Sequence, residues 1–324
     1  MKRATIFLLS PAARPFTIMA GAILVLALMD RGTGYFFSLG TVFSVMQLFA
    51  TLGLAALGLG LSMLVREFDL SVASIVGLAG CIAVMTGVSN PWLGVFLGVG
   101  AGVASGVLQG LIMTRLGLSS VGVTLGGLLT LQGLTYVLTE NKTIGYPNMA
   151  VALELNAPIA NLLSVRSAAA LAVFVLAALV MACTHIGYDV IATGSDRRAS
   201  RVAGLNTDRV IVGVFAASGA SAALAGVLLS YSLGAASPVA LADVLAPAAA
   251  AAIVGGVSVA AAARWALRRS GLSAIGVEPH VHDLVTGIIL MVIAIVDAPD
   301  LARRVTAWRL DRAEGDARLA ARRP

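Results

Sequence analysis

Residues 91–113 read PWLGVFLGVGAGVASGVLQGLIM, a run that carries no charge. About 20 apolar residues in a helix are enough to cross roughly 30 Å of hydrocarbon, so this run predicts a membrane-spanning helix. Within it Gly94, Gly98, Gly102, Gly106 and Gly110 recur at every fourth position. That spacing lays a smooth groove along one helix face, where a second helix can approach at close backbone distance. Tight helix packing is the reading of the stripe, with a solute-lining role as its alternative. Gly122 and Gly126 repeat the device in the next apolar run.

Outward from this segment the chain has the same character. Of 324 residues 59% are hydrophobic and only 12% charged, against about a quarter charged in an ordinary soluble domain. Lipid must therefore cover a surface that water cannot. The apolar runs lack the alternating pattern of a transmembrane barrel, so the fold class is all-α, a polytopic bundle of about nine to ten spans. Candidate spans fall near 14–29, 41–65, 71–88, 91–113, 119–138, 167–187, 209–230, 243–262 and 284–298. The first is expected to be a retained helix, not a cleaved leader, because no small-x-small cleavage site precedes a polar start. Cys81 and Cys183 both lie in apolar runs and read as packing thiols. The only lysines, Lys2 and Lys142, sit in no Gly-Lys-Ser/Thr triplet, so the chain is not its own P-loop ATPase.

Charge distribution orients the bundle. With the N-terminus inside, the inner loops hold Lys2, Arg3, Arg14, Arg66, Arg115, Arg197, Arg198, Arg201, Arg209, Arg264, Arg268 and Arg269, and the outer loops only Arg31, Lys142 and Arg166. Basic loops stay cytoplasmic, which predicts an inside N-terminus. The Arg-rich tail 301–324 should be cytoplasmic as well, yet nine spans would leave it outside. An imperfect tenth element over 266–282, spanning or re-entrant, resolves the parity. The tail itself reads either as an amphipathic helix on the inner leaflet or as a basic extension.

Polar residues are sparse, so those near spans carry weight. In Phe68-Asp69-Leu70-Ser71-Val72-Ala73-Ser74, a carboxylate and two hydroxyls precede the third span. Asp69 or Ser71 would cap that helix by accepting its first free N–H groups; a solute or gating contact is a compatible second role. In the polar loop 187–209, Asp196 to Ala203 predicts a short helix with Arg197 and Arg201 on one face. Arg198 lies between them, and Gly194 and Gly204 bracket the helix. Glu278, His280, His282 and Asp283 suggest zinc only weakly, since no further ligand supports them. They read as an interfacial polar turn, and no metal is assigned.

Together these stretches resemble a known family. Residues 68–74, the loop 187–209, Ala251-Ala252-Ile253-Val254-Gly255-Gly256-Val257-Ser258 and the run from Leu284 to Asp297 are similar, in order, to motifs of ribose- and galactose-type ABC permeases, within the branched-chain amino acid and sugar permease superfamily. The resemblance implies a type II ABC importer-like permease domain over 1–300, with 187–209 as its cytoplasmic ATPase-coupling loop and Gly255, Gly256 and Ser258 as its Gly-Gly turn. It also implies a multi-pass protein of a bacterial-type cytoplasmic membrane. Its partners would be an ABC ATPase, a second permease subunit, and an extracytoplasmic solute-binding protein. The chain would hold no cofactor, ATP and magnesium being bound by the ATPase, and would be no enzyme. Its solute would be a monosaccharide or a related compound. The chain departs from the family pattern at Ala73, at Val257, and after Ser258, where a stretch of the ninth span is missing.

Two other classes compete. A secondary carrier or exporter of about ten helices usually shows an inverted repeat and intramembrane carboxylates, and neither is evident here. A lipid-linked transferase would need a carboxylate or metal cluster beyond Glu278 to Asp283.

Overall fold

A computed structural model describes residues 38–238 and Ala248. Apart from Ala248, the following expectations lie outside the described residues: the spans over 14–29, 243–262 and 284–298, the element over 266–282, the 278–283 turn, the Gly255, Gly256 and Ser258 turn, and the tail 301–324.

Long helices dominate the described part. They are α1 (Leu39–Leu64), α2 (Val72–Thr86), α3 (Pro91–Leu116), α4 (Ser120–Thr139), α6 (Val165–Cys183) and α9 (Thr207–Leu233). Short helices α5 (Met149–Asn156), α7 (His185–Ser195) and α8 (Arg197–Val202) lie in the connections. Two two-residue antiparallel ladders complete the set: β1 (Ile144–Gly145) with β4 (Ala235–Ala236), and β2 (Pro158–Ile159) with β3 (Leu163–Ser164). All of these but α2 among the long helices are long and apolar enough to cross a membrane.

The termini follow local chemistry. Ser38 accepts from Thr41 N at the start of α1, and Asn90 accepts from Trp92 N at the start of α3 with Pro91 as first residue. Each cap satisfies an N–H that the helix itself leaves free. Gly117 and Gly234 end α3 and α9 in the left-handed conformation, which glycine adopts without a steric penalty.

The core lies between α1, α2, α3 and α9. Phe49, Leu54, Leu59, Ile75, Val76, Phe215 and Val227 are fully enclosed there. The glycine stripe of α3 faces this core. A Cβ on Gly106 would overlap the Phe215 carbonyl of α9, and one on Gly98 would meet Ala79 O and Val227 Cγ2 at 2.8 Å. The contact is reciprocal, since a Cβ on Gly219 of α9 would overlap the Gly102 carbonyl. Missing side chains thus let two backbones touch. Gly122 and Gly126 of α4 do not repeat this. Both are exposed, and a Cβ on Gly126 would meet nothing within 4 Å. α4 and α6 instead turn Leu125, Leu129, Val137, Leu176 and Leu179 outward, as helices facing lipid do. Cys81 is buried in α2, whereas Cys183 ends α6 and is exposed, so packing accounts only for the first.

α2 is the exception that shapes the site. Its 15 residues extend only about 22 Å at 1.5 Å per residue, short of the roughly 30 Å of a bilayer core. The non-helical segment 65–71 precedes it and joins it to α1. Arg66 turns the chain there with φ 59°.

Candidate functional site

Non-helical backbone at membrane depth is tolerated only where protein satisfies its polar groups. The 65–71 segment meets that condition through side chains of α2, α3, α4, α8 and α9. Phe68 N donates to Ser120 Oγ (3.4 Å), and Thr124 Oγ1 donates to Phe68 O (3.1 Å). At its centre Asp69 is fully buried. Its Oδ1 accepts from Ser71 Oγ (2.6 Å) and Ser71 N (3.1 Å), and its Oδ2 accepts from Ser218 Oγ of α9 (2.8 Å). Gln109 Nε2 of α3 donates to Ser71 Oγ (3.0 Å), and Ser74 Oγ donates to Ser71 O (2.8 Å).

Of the two residues expected to cap α2, Asp69 is the one that accepts a backbone N–H at its start, from Ser71. Ser71 is the N-cap residue of α2 but makes no side-chain cap bond, because its hydroxyl proton goes to Asp69 and its oxygen accepts from Gln109. Asp69 accepts from the N–H of Ser71 at the N-cap position of α2 and from no N–H beyond it. It joins the helix break to α9, 149 residues away. Gln109 Oε1 is buried without a hydrogen-bond partner among the described residues.

The 187–209 loop forms the second part of the site. Asp196 caps α8, its Oδ1 accepting from Arg198 N (2.8 Å) and Ala199 N (3.0 Å). Gly204, at φ 89°, turns the chain out of it. Gly194 is needed for a different reason: a Cβ there would overlap the Leu64 carbonyl, so α7 lies directly on the end of α1. Val65, Val190 and Val214 cluster beside this contact.

Arg197 and Arg201 share a face, as their spacing predicts, but that face is engaged within the chain. Arg197 donates to Val65 O (3.0 Å) and pairs with Glu67 Oε1 at 2.5 Å. Arg201 donates to Thr207 Oγ1 (2.8 Å) and pairs with Asp208 Oδ1 at 2.6 Å. What α8 presents outward is Arg198, Ala199, Val202 (90% exposed) and the solvent side of Arg201, whose ion pair with Asp208 is itself half-open to water. A cavity of about 160 Å³ opens beside the ion pairs, lined in part by Glu67, Thr114, Leu118 and Asp208.

The opposite end of the bundle is closed differently. Tyr146 and Tyr231 stack with ring centroids 4.7 Å apart. Tyr146 Oη donates to Gly87 O (2.9 Å) and Tyr231 Oη to Pro91 O (2.9 Å). Removal from water pushes the Tyr146 phenol above its ordinary range. Arg166, also buried, donates to Gln47 Oε1 (2.9 Å), to Gln47 O (3.1 Å) and to Ser232 Oγ. Gln109 belongs to the Asp69 cluster, while Gln132 donates to Tyr136 Oη along α4 (3.1 Å).

Glu67, Asp208 and Ser218 were missed by sequence reasoning. The polar Ser218 and Ser221 inside an otherwise apolar run were the available signal for the last. Nothing local marks Glu67 as the partner of a residue 130 positions away.

Comparison with known proteins places this geometry in context. The family described as "Branched-chain amino acid transport system / permease component" matches residues 41–294. The chain is 30% identical over 229 residues to the autoinducer 2 import system permease protein LsrC of Photorhabdus laumondii, covering 68% of this chain and 67% of that one. It is 28% identical to the ribose import permease protein RbsC of Haemophilus influenzae, over 73% of this chain and 75% of the relative. It is 27% identical to the L-arabinose transport system permease protein AraH of Escherichia coli, over 76% and 78%. No solved structure matches.

Proposed function

Because the chain belongs to the family of branched-chain amino acid transport system permease components, we propose that it moves a monosaccharide or a similarly small polar solute inward across a bacterial-type cytoplasmic membrane. It is a multi-pass permease subunit of an ABC-type importer and performs no covalent chemistry itself. The sugar assignment rests on relatives named for ribose, L-arabinose and autoinducer 2.

One observation carries the mechanism: an exposed helix, α8, is bonded to a helix break that holds a buried carboxylate. α8 docks in a cleft of a cytoplasmic ATPase through Arg198 and Val202, and displacement of α8 reaches the spans. The ATPase binds ATP and magnesium. A second permease subunit completes the pathway, and an extracytoplasmic binding protein delivers the solute. Among the described residues, Arg66, Arg115, Arg197, Arg198, Arg201 and Arg209 lie at the α8 end, against Lys142 and Arg166 at the other. This asymmetry supports a cytoplasmic α8 end and a cytoplasmic N-terminus.

The test is co-purification in mild detergent with a co-expressed ABC ATPase, followed by uptake of radiolabelled ribose and arabinose into proteoliposomes. Wild-type chain should retain the ATPase, and Arg198→Glu with Val202→Asp should lose it. Solute flux driven by an ion gradient without any ATPase would replace this reading with a secondary carrier.

A further inference from the structure

The two ion pairs of α8 lead to the same place. Arg197, its first residue, holds Glu67 and the Val65 carbonyl, two and four residues before Asp69. Arg201, near its other end, holds Thr207 and Asp208, the first two residues of α9. α9 then carries Ser218, whose hydroxyl donates to Asp69. The path from α8 through Glu67 to Asp69, across to Ser218 and down α9 to Asp208, returns to α8. It is a closed ring of bonded contacts.

Within this ring the arms differ in stiffness. α9 is continuous helix from Thr207 to Ser218, rising about 16 Å at 1.5 Å per residue. The Glu67 arm is non-helical, turned at Arg66 and held by hydrogen bonds joining Phe68 to Ser120 and Thr124 of α4. Glu67 is mostly enclosed, its side chain 14% exposed, so screening by solvent is weak there. The Arg201–Asp208 pair is exposed and Gly204 turns the chain between α8 and α9, so α8 can shift against α9, and the more enclosed Arg197–Glu67 pair carries that shift to the 65–71 segment.

We propose that the Arg197–Glu67 pair is the positioning contact that transmits motion of α8 to the Asp69 segment, and that it is not a docking contact for the ATPase. This rests on the permease reading above. Arg197 acts inside the chain, and Arg198 and Val202 act outside it.

The experiment uses the full chain with its co-expressed ATPase, carrying Cys81→Ala and Cys183→Ala so that Leu70→Cys offers a single thiol between Asp69 and Ser71. N-ethylmaleimide labelling is followed with and without ATP and vanadate. Trapping should change the labelling rate by about fivefold or more, the lower range of an allosteric coupling. Glu67→Gln should reduce that change below about twofold while the ATPase still co-purifies and thermal stability in detergent is retained. The exchange Glu67→Arg with Arg197→Glu should restore part of it, since the ion pair is remade but a carboxylate at 197 cannot donate to the Val65 carbonyl. An undiminished response in Glu67→Gln, or no response to nucleotide in the ATPase-bound parent, would overturn the proposal. A parent chain that never retains an ATPase overturns the permease reading itself.

Discussion

Asp69 shows what a single side chain does in a medium without water. Its carboxylate satisfies two hydroxyls and one backbone N–H, and all of these groups are buried. Asp69→Leu would leave them unpaired at about 1–3 kcal/mol each, so thermal unfolding in detergent should shift down markedly. Asp69→Asn, which keeps an acceptor toward Ser71, should shift it far less. The glycines give a sharper contrast. Gly106→Ala drives a methyl into the Phe215 carbonyl and should cost about 1–3 kcal/mol through overpacking. Gly126→Ala meets nothing and should gain up to about 1 kcal/mol of helix propensity. The two glycines look alike in the sequence, each in a four-residue repeat. Which face of a helix meets protein and which meets lipid is decided by neighbours that a single sequence does not display.

Among elements, the long helices were legible and the broken one was not. Hydropathy located the runs near 41–65, 91–113, 119–138 and 209–230, and the helices α1, α3, α4 and α9 extend each by at most a few residues. The run 71–88 reads as an ordinary span, because hydropathy measures composition and not depth. Its helix covers only Val72–Thr86, and the polar residues before it lie inside the bundle instead of at its surface. The run 167–187 crosses a helix boundary at Thr184, whose extended backbone (φ −118°, ψ 159°) ends α6 and starts α7. The break itself stores a local cost. Arg66 holds φ 59°, which disfavours an L-residue by about 1–2 kcal/mol. Arg66→Gly should raise the unfolding midpoint slightly while leaving the Arg197–Glu67 pair in place.

For the whole molecule, the first consequence of the proposed orientation is accessibility. In intact cells carrying the Cys81→Ala and Cys183→Ala chain, Lys142→Cys should react with a membrane-impermeant maleimide. Ser195→Cys, at the α8 end, should react only after the cells are opened. The reverse pattern would invert the bundle. The family could be read from motifs in order along the chain, and the comparisons agree with it. The ring through Glu67, Asp69, Ser218 and Asp208 could not, because its Arg197–Glu67 and Asp69–Ser218 bonds join residues 130 and 149 positions apart.

The two ends of the bundle are fastened by different physics. The tyrosine end is held by hydroxyl-to-carbonyl bonds and a short strand ladder, while the α8 end is held by ion pairs, of which Arg201–Asp208 is largely open to solvent. Dissolved salt weakens exposed charge pairs, with a Debye length of about 8 Å at physiological ionic strength, and leaves neutral hydrogen bonds almost untouched. Raising ionic strength should therefore loosen one end of the protein selectively. Amide hydrogen exchange would speed up around Thr207 and Asp208 while Tyr146 and Tyr231 keep their protection.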